Sequence, residues 1–464
     1  SATGSPASWL GKALPGNRYG LAASSPCSSI RRGRPRSIQS RRISASFPVT
    51  STVTGSAVAN VMATGSITIP TMKRLRYPPA FAGAVEAVAS SAGQLTPPVM
   101  GAGAFIMAEF LNIPYTQIAV AAMGPAFLYY LAIWLGVDLY ARRTGLQPTP
   151  KNEMPKPADF LAPDKAIPLF LPIATVVYFL FQGYTPSFAG AASIIVLILA
   201  CAAVRPFGRD TREQGLKACW TGLVRDVYEG MVEAGRALVM IAALLACAAI
   251  VVKVLTATGA GVKISNLLFS VSDQGLIVAL LLAAVLSIVL GMDVPTTASY
   301  VLAAAVAAPS LVRLGLPELT AHLFVFYYAI LSAITPPVCA SVYAAAALAG
   351  ANFWKVAGRA LVLAGAVYVV PFLFVFRPGI LAQGGTGQIV LDLGVASAAV
   401  FAVSVGLSGY FRGTLSIPGR GVFLASAALL FYAAPMADII GGLALTGLIV
   451  WRFMRGERQT LSTG

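Results

Sequence analysis

Two Thr-Pro-Pro triplets, at residues 96–98 and 335–337, are the residues of this chain best placed to do chemistry. Each interrupts an apolar run long enough for one helix, Ala80–Leu111 and Leu319–Gly350. Tandem prolines remove two backbone donors and clash with the preceding turn, so neither helix can run through. In an apolar environment the freed carbonyl oxygens must line a protected cavity or bind an ion. A kinked helix without a ligand is the plainer interpretation of one triplet alone.

An internal repeat relates the two triplets. An offset of 239 residues superposes a long block on another without a gap, aligning the triplets, Pro70 with Pro309, Arg74 with Arg313, Pro78 with Pro317, and Tyr129 with Tyr368. Chance similarity of alanine-rich segments does not explain prolines and arginines held in register. Interrupted apolar segments at matching places in two repeats indicate a transporter's binding site at the membrane midplane.

A second interrupted element precedes the later triplet. The uncharged run Gly275–Gly291 is followed by a break at Met292–Thr297 and by another apolar run, Ala298–Leu311. Neither arm is comfortably long enough to span a bilayer, so a re-entrant hairpin fits better than two spans. Its tip would bring Thr296, Thr297 and Ser299 close to the second triplet. Hydroxyl and carbonyl oxygens suit hard cations such as sodium.

The composition of the chain points to a lipid bilayer. Of its 464 residues, 57% are hydrophobic and 11% are charged, whereas an ordinary soluble domain has about 25% charged residues. Soluble enzymes, disulfide scaffolds and disordered proteins are therefore excluded as classes. Six arginines crowd residues 31–42 in a Ser/Pro/Gly-rich opening, which is typical of a disordered arm or a targeting segment. Nucleic-acid binding is the less favoured interpretation of this basic run.

Several apolar stretches predict spanning helices of about 20 residues. They are Tyr115–Leu139, two helices within Ala166–Val204, Leu238–Leu255, Val356–Phe376, Ile389–Tyr410 and the short pair Gly421–Pro435 and Met436–Phe453. Residues Thr211–Arg236 predict an amphipathic helix on the inner surface, with a solvated linker as the alternative. Lys and Arg mark the cytoplasmic side. If Gly275–Leu311 is a hairpin, this count puts Arg377 outside and predicts that the two repeats are inverted. If the segment is two full spans, the repeats are parallel and Arg377 lies inside, which the charges do not strongly forbid.

At these motifs the sequence resembles a known family. The segments Ser51–Arg74, Gln94–Glu109 and Ile334–Lys355 look like the large permease of tripartite ATP-independent periplasmic (TRAP) transporters, in the fused form paired with TAXI-type binding proteins. The resemblance covers about Ser51–Phe453. It implies an all-α membrane protein with an inverted-repeat, ion-transporter-like fold of the elevator type, containing two re-entrant hairpins and two broken helices.

The resemblance also implies an activity. Such a permease is a multi-pass symporter of the bacterial inner membrane that takes up an organic acid delivered by a periplasmic TAXI-type solute-binding protein. Sodium ions are the implied coupling ions. No other cofactor or metal, and no nucleic acid, is expected.

The site residues follow from the same resemblance. The resemblance implies one group of sodium ligands at the tip of a first hairpin and the break that faces it: Thr54, Gly55, Ser56, Asn60, Thr96 and Pro97. The other set is its counterpart: Gly291, Thr296, Thr297, Ser299, Thr335 and Pro336. The substrate would lie between the tips, at Ser56, Pro98, Thr297 and Pro337. Asp293 departs from the family motif, in which glycine is usual, and either adds a cation ligand or disturbs the tip.

These patterns divide the chain into five segments. Residues 1–50 are expected to be disordered or foreign, 51–145 form the first repeat, 146–274 are scaffold helices with the amphipathic helix, 275–377 form the second repeat, and 378–464 add C-terminal spans. The first hairpin arm should fall at residues 36–52, but each arginine there costs about 2.5–3.5 kcal/mol at a helix centre. We therefore expect family sequence from about Ser51 and poor transport by this chain alone, which sodium-dependent uptake in liposomes would contradict.

The sequence allows functions other than transport. A channel is the stronger alternative, because carbonyl-lined breaks also form selectivity filters; saturable, sodium-stimulated counterflow would distinguish a transporter. A non-functional truncated permease is a further alternative. An enzyme is disfavoured because the sequence has one histidine and neither GxxxxGK[ST] nor HExxH. The intramembrane carboxylate Glu86 is expected to pair with a neighbouring basic group.

Overall fold

The computed structural model describes residues 56–98, 100–146, 163–204, 216–259, 263, 275–292 and 294–461. Over these residues the protein is helical, apart from one isolated β-bridge between Tyr410 and Thr414. The helices α1 to α16 are, in order, Ala57–Arg74, Pro79–Ala92, Ala102–Leu111, Tyr115–Thr144, Pro163–Phe181, Pro186–Val204, Leu216–Ala257, Leu276–Gly291, Thr296–Arg313, Glu318–Leu331, Ala340–Ala349, Phe353–Ala364, Val370–Phe376, Thr386–Ser408, Ile417–Phe431 and Pro435–Leu461.

Both predicted breaks are confirmed. The first triplet lies in non-helical chain between α2 and α3, and the second lies between α10 and α11, after a 3-10 turn at Ser332–Ile334. The Pro97–Pro98 and Pro336–Pro337 peptide bonds are both cis. Neither helix continues through its triplet, as the loss of two successive backbone donors requires.

Helices α8 and α9 form the predicted two-armed element. They are joined by Met292–Pro295 and pack against each other, so they run antiparallel. With 16 and 18 residues, they are about 24 and 27 Å long, less than the hydrocarbon thickness of about 30 Å. α9 begins at Thr296, two residues earlier than predicted, because Pro295 fixes an extended conformation just before the first turn. Thr296 and Thr297 are therefore helical.

The helix boundaries confirm the internal repeat and correct its register. Both ends of α1 and α2 correspond to the ends of α9 and α10 at an offset of 239 residues. Beyond the breaks, α3 corresponds to α11, and the start of α4 to that of α12, at 238 residues. The second break is one residue shorter, which a loop accommodates without changing either helix. The gap-free alignment was therefore wrong here: Tyr130, not Tyr129, is the structural counterpart of Tyr368.

The two copies pack crosswise. Arm α1 contacts α2 of its own copy and α11 of the other, and arm α9 contacts α10 of its own copy and α3 of the other. Helices α1 and α9 therefore each lie against broken-helix segments of both copies. The two breaks belong to one packed unit.

Three helices in the described ranges are long and apolar enough to cross a membrane: α4, Ser187–Val204 within α6, and α14. The predicted span at Val356–Phe376 is instead a pair, α12 and Val367–Phe376, bent by 53°. The predicted amphipathic helix and the span after it form one continuous helix, α7. No glycine or proline separates those two predicted elements at residues 236–238, so nothing ends the helix there.

A buried ion network joins the second copy to the C-terminal helices. Arg377, directly after α13, is 2% exposed and donates hydrogen bonds to Asp392 (3.5 Å), to Asp438 and to the carbonyl oxygen of Leu430 (3.0 Å). Asp392 is also buried and accepts from the N–H of Gly379 at 3.0 Å. Charge counting treated Arg377 as an outer loop residue, but its carboxylate partners allow it to be buried. The charge of Arg377 therefore does not indicate which side of the membrane this part of the chain faces.

We expect Asp392→Asn to lower the melting temperature of the detergent-solubilised protein. It removes one of the two carboxylates that compensate buried Arg377, and breaking such a pair costs about 3–5 kcal/mol. Tryptophan fluorescence during heating measures the change. Asp138→Asn is the control, since the Asp138–Arg142 pair is exposed and worth about 0–1 kcal/mol. Equal melting temperatures for the two variants would contradict a stabilising network.

Candidate functional site

The hairpin arms attach to the broken helices through buried polar side chains. In the first copy, the amide of Asn60 donates to the carbonyl oxygen of Ser90 at 3.2 Å. At the position corresponding to Asn60, the hydroxyl of Ser299 donates to the carbonyl oxygen of Gly291 at 3.2 Å. The hydroxyl of Ser332, beside the second break, reaches the same oxygen at 2.9 Å. Gly291, at the end of α8, is therefore tied to both α9 and the break.

The threonines of the two triplets have matching surroundings. Thr96 donates to the carbonyl oxygen four residues earlier at 2.7 Å and lies 3.0 Å from the hydroxyl of Tyr130. Thr335 also donates to the carbonyl oxygen four residues earlier at 2.7 Å and lies 2.6 Å from the hydroxyl of Tyr368. A hydroxyl has one proton and two lone pairs, so each threonine oxygen keeps an acceptor position beyond these two contacts.

One contact connects the two copies at their breaks. The hydroxyl of Thr296, in the first turn of α9, donates to the side-chain oxygen of Gln94 at 2.9 Å. Gln94 is 2% exposed and lies two residues before the first triplet. The sequence assigned Thr296 to the break of its own copy, but in the structure its hydroxyl contacts the other one. The tip of the second hairpin and the first break therefore meet directly.

The remaining predicted residues have varied positions. Ser56 caps α1 and is exposed, its hydroxyl oxygen accepting from the N–H of Ala59 at 3.4 Å. Thr297 is partly exposed in the first turn of α9, next to Thr296. The triplet prolines are partly or fully exposed: Pro97, Pro98, Pro336 and Pro337. Thr54, Gly55 and Asp293 lie outside the described residues.

Sequence reasoning missed several residues that shape the site. Gln94, Ser90 and Ser332 are polar side chains in apolar runs, each within six residues of a triplet, and that spacing was the available signal. Tyr130 and Tyr368 reach the triplets from the following elements, α4 and the turn after α12. The one-residue difference between the breaks concealed their equivalence.

The chemistry of these groups favours a monovalent cation. The oxygens around the triplets are hydroxyl, amide and backbone carbonyl oxygens, all uncharged, and such ligands suit a hard cation of low charge. Among the described residues, no group of three or more His, Cys, Asp or Glu side chains could hold a metal ion. Neutral oxygens of this kind are among the groups that bind hard cations.

Paired broken helices with helical arms, in a chain with membrane-length apolar helices, define the class of membrane transport proteins. The sequence profile of the "Tripartite ATP-independent periplasmic transporter, DctM component" family matches residues 42–386. The chain belongs to this family, whose members are membrane permeases, not enzymes, and work with a periplasmic solute-binding protein and a small subunit. The match starts eight residues before the predicted boundary at residue 50.

The chain is also similar to an uncharacterized protein, y4mL, of Sinorhizobium fredii (strain NBRC 101917 / NGR234). The two are 22% identical over 331 residues, which is 70% of this chain and 75% of the relative.

We expect Gly291→Ala to destabilise the contact between the second hairpin and its break. A Cβ atom at Gly291 would lie 2.6 Å from the hydroxyl oxygen of Ser332, and overpacking of this kind typically costs about 1–3 kcal/mol. The measurement is the melting temperature in detergent.

The matched control is Gly358→Ala on α12, where an added Cβ meets nothing within 4 Å. This change should leave the melting temperature unchanged or raise it slightly, since alanine is the better helix former. A drop for both glycine variants, or for neither, would argue against tight packing at Gly291.

Proposed function

We propose that this permease carries out sodium-coupled uptake of an organic acid across the bacterial inner membrane. The observation that carries the proposal is the contact between Thr296 and Gln94, which joins the second hairpin tip to the first break. It brings the neutral oxygen ligands of both copies into one region. A substrate held there would contact both copies, as alternating access around one midplane site requires.

Sodium would bind at each break to hydroxyl, amide and carbonyl oxygens. At the second break we assign Thr335, Thr296, Thr297, Ser299 and the carbonyl oxygens of Gly291 and Pro336 to this role. At the first break we assign Thr54, Gly55, Ser56, Asn60, Thr96 and Pro97. Asn60 and Ser299 support this pairing, because both are buried at corresponding positions in the first turn of a hairpin arm.

The substrate would lie between the tips, beside Ser56, Pro98, Thr297 and Pro337. Bound sodium would supply the positive charge that an organic anion needs, because the side chains of the two triplets are uncharged. This makes substrate binding depend on sodium binding, which is the thermodynamic basis of symport.

The proposed topology has two re-entrant hairpins in inverted repeats. Arms of about 24 and 27 Å favour hairpins that enter and leave on one face. The crosswise packing of α1 and α9 on both broken helices supports movement of the copies as one body, as in an elevator mechanism. A periplasmic TAXI-type solute-binding protein would deliver the substrate.

Sodium binding can be measured without knowing the substrate. We expect sodium chloride, but not potassium chloride, to raise the melting temperature of the purified protein, with a stabilisation of about 2.7 kcal/mol at a hundredfold excess over Kd. Thr335→Val should weaken this response about tenfold or more in Kd because it removes one ligand, whereas Thr335→Ser should keep it.

The control is Thr446→Val on α16, a threonine whose hydroxyl contacts only carbonyl oxygens of its own helix among the described residues. It should respond to sodium like the wild type. An equal response from Thr335→Val would remove Thr335 from the site, and equal stabilisation by sodium and potassium would argue against sodium coupling. Uptake of labelled carboxylic acids by proteoliposomes, with the binding protein and small subunit present, then tests transport itself.

A further inference from the structure

A buried carboxylate lies ten residues before the first triplet, and neither the sodium site nor the substrate site uses it. Glu86 on α2 is 3% exposed. Its carboxylate oxygens accept hydrogen bonds from the hydroxyls of Thr64 and Thr68 on α1, and from the hydroxyl of Ser90 at 3.1 Å. The predicted basic partner is not found in the described part of the chain: three hydroxyls surround Glu86 instead.

The fold itself does not require this carboxylate. At the 239-residue offset, the positions of Glu86, Thr64, Thr68 and Ser90 are occupied in the second copy by Val325, Ala303, Ala307 and Ala329. At these four positions the second copy thus packs the same two helices with apolar side chains. Burying a carboxylate costs free energy that these residues avoid. The polar cluster of the first copy therefore calls for a functional explanation.

The cluster can satisfy its hydrogen bonds in two protonation states. When Glu86 is ionised, all three hydroxyls donate to it. When it is protonated, the acid donates to the Thr68 oxygen, and Thr68 donates instead to the carbonyl oxygen of Thr64, 3.0 Å away. Thr64 also has a second acceptor within reach: its hydroxyl lies 2.7 Å from the carbonyl oxygen of Asn60. Both states are thus fully paired, as a reversible proton site needs.

In the part of the chain that the structure describes, no charged group pairs with Glu86. The titratable or charged residues on the elements packed against α2 are Lys73 and Arg74 of α1, Tyr115, Tyr129, Tyr130, Asp138, Tyr140, Arg142 and Arg143 of α4, Tyr343 of α11, and Lys355 and Arg359 of α12. Among the described residues, none of them forms an ion pair or hydrogen bond with Glu86. Lys73 donates to the carbonyl oxygen of Ala349 (3.0 Å), and Tyr129 to that of Val88 (3.0 Å).

The packing around Glu86 leaves room for a proton but not for a metal ion. The hydroxyl oxygens of Thr64 and Thr68 touch the carboxylate directly, so an intervening sodium ion would have to push them apart. α1 also lies close at this point, because a Cβ atom added to Gly65 would be 3.1 Å from Cγ of Glu86. This cluster is therefore chemically distinct from the neutral oxygens at the breaks.

We propose that Glu86 is a proton-binding site of this permease and that its proton moves with the transport cycle. Ser90 provides the connection, because its hydroxyl contacts Glu86 while its carbonyl oxygen accepts from Asn60 at the hairpin tip. Protonation of Glu86 changes the charge next to this hydrogen-bonded pair. The movement of the proton during transport rests on the function proposed above; the proton site itself does not.

Infrared difference spectroscopy of the purified chain tests the proton site without substrate. We expect a carboxylic acid C=O band in the wild type that is lost on raising the pH. Glu86→Gln should lack the band, and Glu109→Gln, which changes an exposed carboxylate, should retain it. An unchanged spectrum for Glu86→Gln would overturn the proposal.

A second variant, Thr68→Val, tests the proton site even if Glu86→Gln misfolds. Thr68→Val removes a donor to the ionised carboxylate, so we expect the acid band to persist to higher pH than in the wild type. A purely structural hydroxyl cluster around a permanently ionised carboxylate would give no such shift. Absence of the shift in a folded Thr68→Val protein therefore also counts against the proton site.

Coupling is tested separately, in proteoliposomes that contain the binding protein and small subunit. An inwardly directed proton gradient should increase uptake of labelled carboxylic acids by the wild type, and Glu86→Gln should lose this response. A response retained by Glu86→Gln would overturn the coupling role. If the infrared band titrates but neither the wild type nor the variant takes up substrate, the proposed transport function is wrong and the proton site is still supported.

Discussion

The architecture depends on one constraint: the backbone groups released by each Thr-Pro-Pro triplet need partners where little water is available. The hydroxyl of each threonine donates a hydrogen bond to a carbonyl oxygen of the preceding turn. It also contacts the hydroxyl of a tyrosine in the following element, Tyr130 or Tyr368. Asn60 attaches α1 to the broken helix of the first copy through the carbonyl oxygen of Ser90, and Ser332 beside the second break attaches to Gly291 at the end of α8. The break, the arm and the next element are therefore needed together, and this accounts for their joint duplication.

The sequence predicts the features whose cause is local. The breaks follow from the prolines and appear in the structure. Where the lengths of the apolar runs predict a re-entrant hairpin, the structure has two short helices, α8 and α9, packed against each other. The register beyond the breaks was not predictable from a single offset, because a missing loop residue leaves the helices on either side unchanged. The contact of Thr296 with Gln94 and the burial of Arg377 depend on tertiary packing. The family profile confirms the resemblance read from the motifs.

The two copies are more alike in their backbone structure than in their polar side chains. The triplet threonines have matching contacts in the two copies, Thr96 with Tyr130 and Thr335 with Tyr368. Elsewhere the copies diverge: Glu86 and its hydroxyls in the first copy correspond to Val325 and alanines in the second. Duplication thus supplies two equivalent frameworks, and substitutions within one of them can add an ionisable group without altering the packing of the other.

The network around Arg377 has a consequence for how such chains are assembled. Its guanidinium finds hydrogen-bond acceptors on α14, α15 and α16, all of which follow or overlap the end of the family match at residue 386. These last helices are consequently not an optional appendage. They supply the carboxylates and the carbonyl oxygen that compensate a buried arginine at the end of the second repeat.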